Sequence, residues 1–164
     1  MGKSIRIVGF DPGTARTGYG VIDCSGNRYR AVNYGIIETP AGESAAHRLD
    51  LLATGVEQLL AETEADESAI EQLFFSTNTK TAMAVAEARG VIMLACARAK
   101  LPVHEYTPLQ VKQSVTAYGQ AGKQQVASMV VRLLKLKETP KPDDVTDALA
   151  VAICRAGYAR IPAA

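Results

Sequence analysis

The stretch Ser4 to Ile22, SIRIVGFDPGTARTGYGVI, leaves a chain few ways to fold. Ile5, Ile7, Val8 and Phe10 make an apolar run rich in β-branched residues, as a strand covered on both faces requires. Asp11 ends that run where Pro12 and Gly13 impose a turn. The chain resumes as a second β-like run, Thr17 to Ile22, and so short a connection only allows it to return antiparallel beside the first. A carboxylate is thereby held at the carboxyl end of a strand, and it becomes chemistry only if other groups join it.

The rest of the chain reads as follows. Asp23 to Asn27 is a turn, and Tyr29 to Thr39 alternates as a third strand stopped by Pro40. From Ser44 to Glu64, Leu49, Leu52, Val56, Leu59 and Leu60 recur at helical spacing. Ala69 to Phe75 is a short apolar strand carrying Glu71, followed by a loop from Ser76 to Lys80. A long helix over Thr79 to Lys100 is interrupted only by Gly90, and its apolar residues cover more than one face, so a partner helix could cover the second. Val103 to Tyr106 is a brief strand; helices run from Pro108 to Tyr118, from Gln124 to Lys135 and from Asp143 to Tyr158. Three antiparallel strands, then strands alternating with helices, give an α/β fold with a mixed sheet flanked by helices. The order resembles ribonuclease H.

With 164 residues, 48% of them hydrophobic, the chain suits one domain over 1–164. A net charge of +1 gives no global field, so any polyanion site depends on local clusters of Lys and Arg. Cys24, Cys96 and Cys154 are odd in number and widely spaced, which points to buried thiols in a reducing compartment rather than a disulfide framework or a zinc site. His47 and His104 lack ligand spacing. No apolar run approaches the roughly 20 residues of a membrane span and no leader precedes the first strand, so the expectation is a cytoplasmic protein without membrane contact.

The last helix opens Pro142-Asp143-Asp144-Val145-Thr146-Asp147, placing Asp147 on one face with both Asp143 and Asp144. Spacing does not choose between those two. Acids at a helix start complement its dipole, but here they combine with Asp11 and Glu71 into a set that one sheet and one helix can gather. Clustered carboxylates repel unless a cation neutralises them. Mg²⁺ suits oxygen ligands, with Mn²⁺ as a substitute, and two ions about 3.5–4 Å apart can activate water against a phosphodiester.

The sequence resembles the RuvC-type Holliday junction resolvases at FDPGTARTGYGVI (10–22), AIEQLFF (69–75), EARGV (87–91), PVHEY and QVKQ (within 102–113), and DDVTDALAVAI (143–153). The resemblance implies a crossover junction endodeoxyribonuclease of recombination and repair. It implies a homodimer that nicks opposing strands of a four-way DNA junction in partnership with RuvA and RuvB. It places the metal-binding and catalytic acids on Asp11, Glu71, Asp144 and Asp147, choosing Asp144 over Asp143, with Asp11 bridging two metal ions and the others completing their shells. It sets Lys112 and Lys123 near the scissile phosphate and Phe74 against unpaired bases. Lys80 and Arg16 are further basic residues in reach of DNA backbone charge. Asp11-Pro12-Gly13-Thr14 also fits the phosphate loop of actin-like ATPases, but those need two such subdomains.

Overall fold

The computed structural model describes residues 4–73 and 79–159. Strands β1 (Ile5–Asp11), β2 (Arg16–Ser25) and β3 (Arg28–Glu38) precede helix α1 (Ala45–Thr63). Then follow β4 (Glu67–Glu71), α2 (Thr79–Arg98), β5 (Val103–Tyr106), α3 (Pro108–Thr116), α4 (Lys123–Leu134) and α5 (Asp143–Tyr158). The strands form one mixed sheet ordered β3-β2-β1-β4-β5, in which β3–β2 and β2–β1 pair antiparallel and β1–β4 and β4–β5 pair parallel.

Because successive strand residues point to opposite faces, β1 divides its side chains between two cores. Val8 and Phe10 meet Leu52, Val56, Ala88 and Ile92 under α1 and α2. Ile7 meets Val130, Leu149 and Ile153 under α4 and α5. Turn chemistry ends the elements cleanly. Ser44 Oγ accepts from the His47 amide at the start of α1, and Thr107 and Gln110 exchange bonds with each other's amides at the start of α3.

What sets the spacing of the α5 layer is glycine. A Cβ on Gly9 would stand 2.2 Å from the Ala148 carbonyl oxygen, one on Gly18 2.0 Å from that of Asp144, and one on Gly20 2.6 Å from Leu149. The helix therefore lies with its own backbone against β1 and β2, closer than any other side chain would permit.

Three sequence expectations are corrected. β4 covers Glu67–Glu71 instead of 69–75, since its pairing with β1 begins at Glu67 and its last apolar residue facing the α2 core is Ile70. Lys80 stands in the first turn of α2 and not in a preceding loop; its side chain lies outside the described part, as does the whole of Phe74. α2 runs through Gly90 without a break, because that residue faces open space and asks nothing special of the backbone. Cys24, Cys96 and Cys154 are buried thiols, as expected.

An ion-pair cluster ties β2 to β1. Asp23 accepts from Arg6 at 2.8 Å and from Arg30 at 2.7 Å, and the Arg6 hydrogen bond above all holds its carboxyl below the ordinary 3.8. A depressed carboxylate contributes stability above its unfolded pKa and loses it as pH falls through the folded value. Asp23→Asn is thus expected to cost about 1 kcal/mol in urea melts at pH 7 and close to nothing once the pH is well below 3.8.

Candidate active site

Asp11 is the last residue of β1 and shares a face with Ile7 and Gly9, the face that α5 covers. The parallel register sets Gly9 beside Ala69 and Phe10 beside Ile70, so Asp11 and Glu71 come next, at the carboxyl ends of adjacent strands. α5 starts at that same edge. Its first turn rests on Gly18, the residue paired with Asp11, so Asp144 stands over the antiparallel neighbour of Asp11 and Asp147 one turn further along.

The electrostatics register this convergence. Burial first, then the charges of Asp147, Asp144 and Glu71, push the Asp11 carboxyl from 3.8 up to about 7, with Lys123 opposing. Glu71 is raised by burial and by Asp147, against Lys112. Asp147 is raised by burial, against Lys123. Asp11 thus feels each of the other three expected acids. Asp144 contributes to the Asp11 shift, whereas Asp143, with a side chain 58% exposed, acts on Asp147, as Asp144 also does.

Basic residues surround the acids. Arg16 Nη2 lies 3.4 Å from Asp144, and Lys123 Nζ lies 3.3 Å from Asp147 and 3.5 Å from Asp143. The acids raise the Lys123 ammonium although burial opposes them. Lys141 pairs with Asp143 at 3.8 Å. Glu71, Lys112, Lys123 and Asp147 line a cleft of about 290 Å³ between α3, α4 and α5. Sequence reasoning therefore placed Arg16, Lys112 and Lys123 at this edge. It missed Gly9 and Gly18, for which the signal was small residues at alternate positions of paired strands, on the same face as the acid.

Among the described residues, no three of these side chains stand ready to hold a metal ion as they are oriented. The donor set fits a hard divalent cation on its chemistry: every candidate ligand is a carboxylate, and Asp11 is held well above the usual carboxylate range by burial and then by the other acids. The cations now leaning on the acids, Arg16 at 50% and Lys123 at 63% side-chain exposure, are free to swing toward solvent.

The model of the family "Crossover junction endodeoxyribonuclease RuvC" matches residues 7–155. A relative of that name from Heliobacterium modesticaldum is 57% identical over 148 residues, covering 90% of this chain and 91% of its own. One from Clostridioides difficile is 53% identical over 150 residues, covering 92% and 89%. Among solved structures, Thermus thermophilus RuvC in complex with a Holliday junction substrate superimposes with a TM-score of 0.91 at 34% identity over 96% of both chains. The yeast mitochondrial Holliday junction resolvase Ydc2 shares the fold alone, with a TM-score of 0.71 at 11% identity. With the matched residues running from β1 to α5, and so across Asp11, Glu71, Asp144 and Asp147, this chain belongs to the RuvC family of crossover junction endodeoxyribonucleases.

Proposed function

We propose that this chain resolves four-way DNA junctions by hydrolysing phosphodiester bonds on two opposing strands, with Asp11, Glu71, Asp144 and Asp147 as its metal-holding acids. The observation that carries the reading is geometric: Asp11 and Glu71 end adjacent parallel strands on the face that α5 covers, and α5 starts over Gly18, the partner of Asp11, so the acids gather at one edge where a cation would offset their charge. Two Mg²⁺ ions, replaceable by Mn²⁺, would supply a nucleophilic water at neutral pH and neutralise charge on the phosphate under attack. The chain's own side chains do the rest. Asp11 and Glu71 are fixed by two paired strands, so their carboxylates need little reorganisation. Lys112, Lys123 and Arg16 line the approach and offset backbone charge as DNA arrives, with Lys80, in the first turn of α2, and Phe74 as further contacts.

A junction is nearly two-fold symmetric, and a two-fold dimer cuts it at matching positions. α2 supports that dimer. It buries Ala88, Ile92 and Cys96 in the monomer, yet exposes Met83 at 66% and Leu94 at 51%, three turns apart on the outward side. Partnership with RuvA and RuvB belongs to the same reading and is supported by family membership. Among the described residues no helix is long and apolar enough to cross a membrane.

The test is a synthetic four-way junction incubated with the full chain and Mg²⁺, beside sedimentation of the protein alone. Paired nicks yielding two linear duplexes, from a protein of twice the monomer mass, are expected. A junction that is bound but uncut in both Mg²⁺ and Mn²⁺ sinks the reading.

A further inference from the structure

Glu71 is held by the sheet on one side only. The last β1–β4 pair is Phe10 with Ile70, so the Glu71 main chain has passed the end of that ladder. On the other side β5 still holds it, with the Gln72 amide donating to the Tyr106 carbonyl at 2.7 Å. The Glu71 carbonyl is met by a side chain from another layer. Arg89 of α2 donates from Nε to that oxygen at 3.2 Å, and its Nη2 pairs with Glu105 of β5.

Arg89 is well placed to be rigid. Its side chain is only 18% exposed, and its helix is anchored by Ala88 and Ile92, both buried against Phe10 and Ile70. A guanidinium is a planar fork whose donors are fixed relative to one another, so pairing with Glu105 aims Nε at one place. The same helix holds the turn after Asp11, where Thr14 Oγ1 donates to the Ala84 carbonyl at 3.0 Å. Both strand ends that carry the acids are thus tied to α2, on the sheet face opposite the chemistry.

We infer that Arg89 is a positioning residue: by bonding the Glu71 carbonyl while braced on Glu105, it keeps the Glu71 carboxylate in register with Asp11. The inference rests on the reading of Glu71 as a metal-holding acid. Arg89 touches neither DNA nor metal in this role, so its loss weakens metal capture and the cutting step without weakening the grip on the junction.

The experiment measures, for each full-chain variant, single-turnover junction cleavage, the Mg²⁺ concentration giving half-maximal cleavage, junction Kd in Ca²⁺ and thermal stability. Arg89→Ala is expected to lower the cleavage rate by about 10- to 100-fold, as small misplacements of a catalytic group do. It also raises the Mg²⁺ midpoint severalfold and leaves Kd within about twofold. Arg89→Lys, which keeps the charge for Glu105 but not the fork, gives an intermediate rate and midpoint, and it decides the matter should Arg89→Ala lose its fold. Glu105→Gln, which keeps an acceptor for the guanidinium but removes the charge that braces it, shifts the rate and the midpoint in the same direction by less than Arg89→Ala. A wild-type rate and Mg²⁺ midpoint in the decisive Arg89 variant overturn the proposal, and so does junction binding that falls in step with cleavage. Glu71→Gln, run alongside, separates the two ideas. If it cuts normally, the role given to Glu71 is wrong; if it is inactive while Arg89→Ala is normal, only the positioning role fails.

Discussion

Asp11→Asn is expected to reduce junction cleavage by about 10³-fold or more while leaving junction binding intact or slightly tighter, because the site loses a central negative charge but none of its basic residues. The same substitution is expected to stabilise the protein in the absence of metal. Asp11 is raised from 3.8 to about 7 in the folded state, so above pH 7 the fold carries an ionised carboxylate that its surroundings disfavour. For a raised carboxyl the folded state binds the proton more tightly, and the penalty disappears as pH falls from about 7 toward 3.8. Urea melts in EDTA at pH 8 should therefore show Asp11→Asn more stable by about 1–2 kcal/mol, a gain that shrinks below pH 7 and is gone only near pH 3.8. Adding Mg²⁺ should stabilise wild type and not the variant, since only a ligand that binds the folded state shifts its stability. A variant that loses stability in EDTA, or that still cuts, would contradict the assignment of Asp11.

Gly9→Ala is the largest stability loss expected from a single added methyl group. Its Cβ would meet the Ala148 carbonyl oxygen at 2.2 Å and the Ala152 amide nitrogen at 2.6 Å, both backbone atoms of a buried helix that cannot rotate out of the way. The α5 layer must then lift from β1, at a cost of about 3 kcal/mol or more. Gly18→Ala, whose Cβ would lie 2.0 Å from the Asp144 carbonyl oxygen, pushes at the first turn of the same helix. It should lose cleavage out of proportion to stability, because the displaced turn is the one bearing Asp144 and leading to Asp147. Denaturant melts and cleavage at a temperature where both variants are folded check this pair. Near-wild-type stability in Gly9→Ala would show that α5 does not rest on the sheet as closely as described.

Much of this molecule is written in local signals. The alternation in β1 and β2, the Pro12-Gly13 turn and the 3.6-residue periodicity of α1, α4 and α5 are readable because each depends on residues a few positions apart. The acids were legible as types at element ends, and Arg16, Lys112 and Lys123 as cations near them. Other features depend on contacts between segments far apart. Spacing alone left Asp143 and Asp144 equivalent, and only the tertiary structure gives them different neighbours, Arg16 for Asp144 and Lys141 and Lys123 for Asp143. The end of β4 was misplaced because strand length is set by which neighbours pair with it: the ladder to β1 ends at Phe10 and Ile70 and that to β5 at Glu71 and Tyr106. Arg89 stood in the EARGV stretch without a role of its own until the fold brought its Nε to the Glu71 carbonyl. The amino-acid order by itself determined which elements form and which residue types reach their ends. Tertiary packing decided which of those ends meet, because a distance of 2 to 4 Å between segments separated by tens or more of residues has no local signature in the chain.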